Sequence, residues 1–178
     1  VPLAIEDGPT RIEVRGEVYM PRSVFTLLNR KRKARGEAEF ANPRNATAGS
    51  IRLLASRETA ARRLAVWCYQ LVQAEGREGT SHVDDLQYLE SLGFSVCPGY
   101  SRCENLGQVQ SLIEQWSNER SGFDFETDGA VIKVDRLDER EILGTTARAA
   151  RWAVAFKYPP EGQKTRVLDI VVQVGRTG

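Results

Sequence analysis

Two short apolar runs that each finish in a lysine restrict the fold more than any other feature of the chain. Gly129–Val134 carries Lys133 near its far end, and Trp152–Phe156 is followed directly by Lys157. Apolar runs of this length predict β-strands, and strands must pair in a sheet. The period of two along the second strand puts Lys157 on the same face as two alanines. A lysine on such a face has space beside it that a ligand can fill.

Further segments have the periodicity of strands or helices. Arg11–Tyr19 alternates and Leu64–Val72 is apolar, so both predict strands. Ser81 with Asp84 three residues later has the pattern of a helix-capping pair. The predicted helices begin at Pro21, at about Thr47, at Ser81 and at about Leu106, and Gly36 and Gly93 end the first and third of them.

Composition excludes several classes of protein. The net charge is +1, so any binding of nucleic acid must rely on local clusters of basic residues. No apolar run reaches the ~18 residues that span a bilayer. Three cysteines without C-x-x-C spacing favour free thiols in a reducing cytoplasm over a disulfide framework or a zinc site. The lone histidine, His82, opens a helical stretch and is predicted to be a solvated surface residue.

The carboxyl-terminal end contains a predicted domain boundary. The length of 178 residues fits one domain, or one domain with a piece of another. Prolines and a glycine at Pro159–Lys164 break the pattern, and Val167–Val174 has the character of a new strand. We therefore expect one domain over residues 1–160 and the first strand of another over residues 161–178.

Three residues on or beside these strands could act on a phosphate. Lys133 and Lys157 could converge on it as two point charges, and Asp128 could hold Mg²⁺ or orient a ribose. Alternatively, Lys157 is a strand-edge lysine that blocks aggregation, and Asp128 belongs to an ordinary Asp-Gly turn that joins two strands. Glu17 follows a glycine in mid-strand, which indicates either close approach of a ligand, whose ribose Glu17 could bind, or a β-bulge.

Small residues dominate the segment Phe40–Arg52, which is predicted to be a loop as far as Arg44. Arg44 and Arg52 bracket the start of the predicted helix, whose free N–H groups favour an anion. With the basic run at Arg30–Arg35 they could form a surface for a phosphate backbone. The alternative is a solvated basic face that neighbouring glutamates neutralise.

Five motifs follow one another along the chain: Glu13–Glu17, Asn42–Asn45 with Ala48–Ser50, Asp128–Lys133, Trp152–Lys157 and Val174–Gly178. In this order they resemble motifs of the bacterial NAD⁺-dependent DNA ligases, and the similarity covers essentially the whole chain. The family's K-x-D-G nucleophile motif does not occur among the five lysines, and the nearest approach is Lys133-Val134-Asp135-Arg136. The resemblance implies that the nucleophile lies upstream of Val1.

The resemblance implies an α+β nucleotidyltransferase, or adenylation, domain with antiparallel sheets flanked by helices, followed by the first strand of an OB-fold. It implies transfer of AMP from NAD⁺ to a lysine and then to the 5′-phosphate of a nick, which the 3′-OH finally seals. Glu17 would contact the ribose, and Lys133 and Lys157 the transferred phosphate. Asp128 would support Mg²⁺ and the later steps. Arg44, Arg52 and, by spacing to Asp128, Arg120 would contact phosphates of the cofactor or the nick.

The resemblance also implies a context for the chain. The partners would be NAD⁺ and nicked duplex DNA in a monomeric protein of the bacterial cytoplasm, associated with the nucleoid, and any zinc would bind downstream of this segment. Without K-x-D-G the chain alone is not expected to adenylate itself. Two alternatives remain at this stage: a non-catalytic nucleic-acid-binding module, and another covalent nucleotidyltransferase such as an ATP-dependent ligase or a capping enzyme.

Overall fold

The structure, a computed structural model, describes residues 1–6, 8–159, 166–172 and 174 and contains helices and strands in irregular alternation. A short 3₁₀ helix spans Arg120–Gly122. The elements are β1 (Ile12–Tyr19), α1 (Arg22–Ala34), α2 (Pro43–Ile51), α3 (Ser56–Ala61), β2 (Ala65–Ala74), α4 (His82–Ser91), α5 (Leu106–Glu119), β3 (Gly129–Lys133), α6 (Leu137–Leu143) and β4 (Ala153–Lys157).

The described strands form two separate antiparallel pairs, β1 with β2 and β3 with β4. This confirms the mixed helix-and-sheet class and the antiparallel pairing. In the first pair the register shifts between Arg15 and Gly16. A Cβ at Gly16 would lie 2.7 Å from the carbonyl oxygen of Trp67 on β2. Close approach of the neighbouring strand therefore requires this glycine, and the β-bulge interpretation is confirmed.

The hydrophobic core lies between the β1–β2 sheet and α4. Leu89 is completely buried, and Cys68, Leu86 and Val96 are nearly so. The partly buried side chains that pack against these four are Ile12, Val14, Leu71, Phe94 and Tyr100. The apolar stripe of α4 thus faces the sheet, as its helical spacing predicts.

Polar caps fix the ends of the helices. The Ser81 hydroxyl accepts a hydrogen bond from the Asp84 amide at 3.1 Å, which confirms the predicted cap. Gly36 and Gly93 have φ of +70° and +83°, the left-handed conformation that ends α1 and α4. At α1 the cap comes from a distant residue, because the Asp124 carboxylate accepts from the Ser23 amide at 2.8 Å and its hydroxyl at 2.7 Å.

Two local predictions are wrong. Helix α2 begins at Pro43 rather than near Thr47, because the Asn42 side chain accepts from the Asn45 amide and Pro43 occupies the first turn. His82 is 9% exposed and not a solvated residue. Its amide donates to the Asp135 carbonyl at 2.9 Å, so the start of α4 is held against the segment that follows β3.

The carboxyl-terminal segment is only partly described. Residues 166–172 and 174 are extended or irregular and belong to no strand in the structure. Most of the predicted boundary at Pro159–Lys164, and the motif residues 175–178, lie outside the described residues. The OB-fold strand over residues 161–178 therefore stays a prediction. Among the described residues, no helix is long and apolar enough to cross a bilayer.

Candidate functional site

Arg44 and Asp128 meet although 84 positions separate them in the sequence. Their side chains form an ion pair with 3.4 Å between Arg44 Nη2 and Asp128 Oδ2. Arg44 lies in the first turn of α2, whose start is anchored by the buried ring of Pro43. Both charged side chains are about three-quarters exposed, at 79% and 75%. Solvent screening makes such a pair worth only about 0–1 kcal/mol, so it contributes little to the fold and is open to a ligand.

Arg120 lies near the same end of β3–β4, and Tyr158 links it to Asp128. The Tyr158 amide donates to the Asp128 carbonyl at 2.9 Å, which extends the strand pairing by one residue. The Tyr158 ring is buried, and the Arg120 guanidinium lies 5.1 Å from its centroid, within cation–π range. Burial raises the pKa of the Tyr158 phenol. Three predicted site residues, Arg44, Asp128 and Arg120, are thus gathered at one end of the sheet.

An aromatic cluster holds the segment that leads to Asp128 against the first sheet. Phe125 makes edge contacts with Tyr19 and Trp67, at centroid distances of 5.9 and 6.0 Å. Phe123 stacks on Phe125 at 5.1 Å. These contacts connect the β1–β2 sheet to the segment that carries Asp128.

The Asp-Gly pair at the start of β3 is not a hairpin turn. Gly129 pairs with Lys157, and a Cβ on it would collide with the Phe156 carbonyl oxygen. The Thr127 hydroxyl donates to the Gly129 carbonyl at 2.8 Å and shapes the entry to the strand. The glycine is therefore needed for close pairing with β4, and the Asp-Gly-turn interpretation is wrong.

Lys133 and Lys157 lie on one face of the sheet but at opposite ends of it. Lys157 is opposite Gly129, and Lys133 is opposite Ala153. Opposed residues in an antiparallel pair point to the same side, so both lysines share the face that also carries Val131. Four residues separate their positions, which corresponds to roughly 13 Å along the strand. The lysines can reach one extended ligand, but they are not neighbours.

Lys133 is held by groups from other elements. Its Nζ lies 3.1 Å from the Tyr69 carbonyl oxygen and 3.3 Å from His82 Nε2. It also lies 5.0 Å from the centroid of the Tyr69 ring. Burial, followed by the nearby Arg140 guanidinium, lowers the pKa of Lys133 to about 8. Burial, then the charges of Lys133 and Arg140, lower the pKa of His82 to about 3.

Glu17 and Arg52 are placed separately from this cluster. Glu17 is an exposed residue of β1 opposite Trp67, and Arg52 is the exposed C-cap of α2. Within the described ranges, no hydrogen bond or ion pair joins either side chain to Arg44, Asp128 or the lysines. The Arg44–Asp128 contact directly joins two of the residues that the sequence singles out.

The basic run at the end of α1 is partly engaged in the fold. Arg32 pairs with Glu37 at 2.9 Å, donates to the Ala38 carbonyl at 2.6 Å and lies over the Phe40 ring. Arg35 makes a longer contact of 3.9 Å with Glu37. Neutralisation by a neighbouring glutamate, one of the two interpretations, is therefore correct for Arg32.

Sequence reasoning missed Tyr69, His82 and Tyr158. Tyr158 directly follows Lys157, so an aromatic residue at the end of a lysine-bearing strand was an available signal. His82 and Tyr69 give no such signal, because they contact Lys133 across 51 and 64 positions of sequence.

Comparison with known proteins identifies the class of domain that this arrangement belongs to. Residues 1–161 match the model of the NAD-dependent DNA ligase adenylation domain, and the chain belongs to that family. This membership separates the chain from ATP-dependent ligases and capping enzymes.

Curated relatives share the similarity over the whole chain. A DNA ligase of Thermoanaerobacter sp. (strain X514) is 48% identical over 178 residues, which cover 100% of this chain and 27% of that protein. DNA ligases of Bacillus cytotoxicus and Thermotoga petrophila are 46% and 44% identical over 178 residues, again 100% of this chain and 26% of each protein. The chain thus spans about a quarter of the length of these relatives.

Proposed function

We propose that the chain is the part of an NAD⁺-dependent DNA ligase that binds the adenylate phosphate and the 5′-phosphate of a nick in duplex DNA. In the parent reaction AMP passes from NAD⁺ to a lysine, then to the nick phosphate, and the 3′-OH displaces it to seal the strand. Membership of the adenylation-domain family supports the class of reaction. The ion pair between Arg44 and Asp128 is the observation that carries the assignment of the site.

The ion pair supports the proposal because the fold gains little from it. An ion pair between an exposed arginine and an exposed carboxylate contributes little to the free energy of unfolding. Guanidinium groups, in contrast, bind phosphate through paired charge-assisted hydrogen bonds. Arg44 and Arg120 approach the same end of β3–β4 from different elements. We assign these two arginines, together with Arg52, to phosphates of the nick or the cofactor.

The face of the β3–β4 sheet that carries Lys133 and Lys157, called the lysine face below, would bind the adenylate. Lys133 and Lys157 are separated by the length of the strand, so we assign them to different parts of an extended nucleotide rather than to one oxygen. Glu17 is proposed as the ribose contact. NAD⁺ is the AMP donor in this proposal.

Asp128 suits a supporting role toward Mg²⁺. The ion is commonly bound in enzymes by one or two carboxylates together with substrate phosphates and water. Asp128 offers one exposed carboxylate beside the proposed phosphate position. In the part of the chain that the structure describes, no cluster of three or more acidic, histidine or cysteine side chains could hold a metal. We therefore propose that Asp128 supplies the protein's carboxylate and that the phosphates and water supply the remaining ligands.

Binding of a nicked duplex with a 5′-adenylated phosphate tests the assignment, because this ligand contains both the nick phosphate and the adenylate. We expect Arg44→Ala to weaken binding about tenfold or more, because a lost charge-assisted bond costs about 1.5–3 kcal/mol. Lys157→Ala should also weaken it. Arg11→Ala is the matched control, since it removes one positive charge from the far end of β1. Equal losses for all three variants would indicate general electrostatic attraction and would contradict the proposed site.

The alternative of a non-catalytic nucleic-acid-binding module has a distinct outcome in the same assay. Such a module would lose binding in the Arg44→Ala, Arg52→Ala double variant but retain it in Lys157→Ala. The exposed basic residues Arg30 and Lys31 on α1 are the feature that favours it. Adenylation-domain membership favours the ligase assignment.

The 178-residue chain alone is not expected to adenylate itself, because no lysine in it lies in a K-x-D-G context. Incubation with NAD⁺ labelled in the adenylate phosphate should leave the protein unlabelled. A stable AMP adduct would show that another lysine can act as the nucleophile.

Further features of the parent protein follow from the proposal. Residues 161–178 would form the first strand of an OB-fold, and the protein would be a monomer in the bacterial cytoplasm, associated with the nucleoid. Zinc would bind in regions outside this chain.

A further inference from the structure

The imidazole of His82 meets the ammonium of Lys133 at the junction of three elements. His82 is the first residue of α4, Lys133 the last of β3, and Tyr69 belongs to β2. Lys133 Nζ lies 3.3 Å from His82 Nε2 and 3.1 Å from the Tyr69 carbonyl oxygen. These contacts join the end of β3 to β2 of the other sheet and to the start of α4.

The chemistry of the two groups fixes which one donates. A lysine ammonium has three donors and no acceptor, so a hydrogen bond to Nε2 requires that this nitrogen carry no proton. The imidazole is then neutral and carries its proton on Nδ1. The buried position of His82 agrees with a neutral ring.

We propose that His82 is the positioning residue of Lys133: its Nε2 accepts a hydrogen bond from the ammonium and, with the Tyr69 carbonyl, holds it at one point of the lysine face. The long side chain of a lysine otherwise samples many rotamers. Two fixed acceptors remove most of that freedom before a phosphate arrives, which lowers the entropy lost on binding.

His82 is itself rigidly placed. Its amide donates to the Asp135 carbonyl at 2.9 Å, and the next amide, that of Val83, donates to Asp135 Oδ1 at 3.1 Å. The Ser81 hydroxyl caps the same turn. Asp135 follows Lys133 by two residues, so the segment directly after the lysine-bearing strand also holds the helix that carries its acceptor.

The charged and titratable groups around Lys133 come from each packed element. They are His82 from α4, Arg140 from α6, Cys97 from the loop after α4 and Tyr69 from β2. Arg140 disfavours the ammonium, and Cys97 favours it when ionised. Among these side chains the His82 imidazole is the neutral acceptor at hydrogen-bond distance.

The tautomer of the single histidine tests the inference without any substitution. In a long-range ¹H–¹⁵N spectrum at pH 7, we expect Nε2 to have the shift of an unprotonated nitrogen and Nδ1 that of a protonated one. Because His82 is the one histidine of the chain, the signals need no separate assignment. A proton on Nε2, or a charged ring at pH 7, would overturn the inference.

Two variants separate positioning from packing. In His82→Gln the side-chain carbonyl can accept at a similar reach, so the pKa of Lys133, followed by NMR of its ε-methylene, should stay near 8. In His82→Leu the acceptor is lost, and that pKa should fall by about one pH unit because the ammonium loses a hydrogen bond. A role in packing alone predicts the same Lys133 pKa in the Leu variant as in the native chain.

The inference rests on the proposed function only where it assigns Lys133 to a phosphate. If that function holds, His82→Leu should weaken binding of the 5′-adenylated nicked duplex several-fold and shift its pH dependence to lower pH, and His82→Gln should leave both close to those of the native chain. The tautomer and the pKa are measured without a nucleotide. A correct tautomer with unchanged binding in His82→Leu would therefore contradict the role in binding while leaving the hydrogen bond established.

Discussion

At the residue scale, the burial of His82 couples folding to pH. Its pKa falls from 6.5 to about 3 on folding. Between these values the unfolded chain binds a proton that the folded chain does not, so the free energy of unfolding falls as pH is lowered from about 6.5 towards 3. We expect an acid-side loss on the order of a few kcal/mol that belongs to this residue.

Chemical denaturation of the native chain and of His82→Gln at several pH values between 3 and 7 measures this loss. Carboxylates titrate in both proteins, so the difference between the two curves isolates the histidine. The free energy of unfolding of the native chain minus that of His82→Gln should therefore decrease as the pH falls. A constant difference across the range would show that His82 does not change its proton binding on folding.

Gly129 is the second residue at which a substitution should have a specific effect on stability. Its missing side chain lets β4 pair directly beside Asp128, and a Cβ would collide with the Phe156 carbonyl oxygen. Gly129→Ala should lower the free energy of unfolding by about 2 kcal/mol or more, since backbone atoms must move. Gly122→Ala is the control, because a Cβ there meets no atom within 4 Å. Equal denaturation midpoints for the two variants would contradict the register of β3 and β4.

Residues whose own neighbours in the sequence are unusual could be predicted, whereas the contacts that these residues make with distant segments could not. Gly16 and Asp128 were found because a mid-strand glycine and a carboxylate at a strand start are local features. The Lys133–His82 contact was missed, and His82 was assigned to the surface, because period and capping describe only a residue's own element. The His82 amide is held by the carbonyl of Asp135, 53 positions further along the chain.

At the scale of elements, α4 is the helix on which the core depends. Leu89 is completely buried between α4 and β2. Leu89→Ala should lower the free energy of unfolding by about 3 kcal/mol, from lost apolar burial and the cavity left behind. Leu54→Ala, at a fully exposed leucine, should change it by less than about 0.5 kcal/mol. Similar denaturation midpoints for both variants would contradict this placement of the core.

Helix α1 depends on a cap from outside itself. The Asp124 carboxylate accepts from the Ser23 amide and hydroxyl, and these bonds lower the pKa of Asp124. The stabilisation is therefore present above the ordinary carboxyl pKa near 4 and is lost as pH falls through the lower folded value. Asp124→Ala should accelerate hydrogen exchange in the first turn of α1 at pH 7. Glu126→Ala, which removes an equal charge nearby, should not, and equal acceleration in both would contradict the cap.

Elements with strong local signals were predictable, and those fixed by tertiary contact were not. Helices α1 and α4 were predictable from their apolar spacing and their end signals, and α5 from its apolar spacing alone. The short helices α3 and α6 were not predicted, since neither has two full turns of apolar spacing. Arg140 of α6 is buried because its Nε donates to the Val134 carbonyl at 2.6 Å and its guanidinium lies over Trp152. Such a contact leaves no periodic pattern.

At the scale of the whole molecule, the order of the strands decides how the site is built. The family resemblance predicts antiparallel sheets, and the two strand-end lysines could converge on one phosphate. The antiparallel register of β3 and β4 keeps both lysines on one face but places them at opposite ends. Lysines at the carboxyl ends of two antiparallel strands must separate in this way, so the spacing follows from strand direction, which periodicity alone does not give.

In the proposed function, the Arg44–Asp128 end of β3–β4 recognises the 5′-phosphate of a nick. The most direct measurement compares the affinity of the chain for two nicked duplexes of one sequence, with a 5′-phosphate or a 5′-hydroxyl at the nick. We expect about tenfold tighter binding of the 5′-phosphate, a difference that Arg44→Ala removes and Arg11→Ala does not. Equal affinity of the native chain for both duplexes would contradict it.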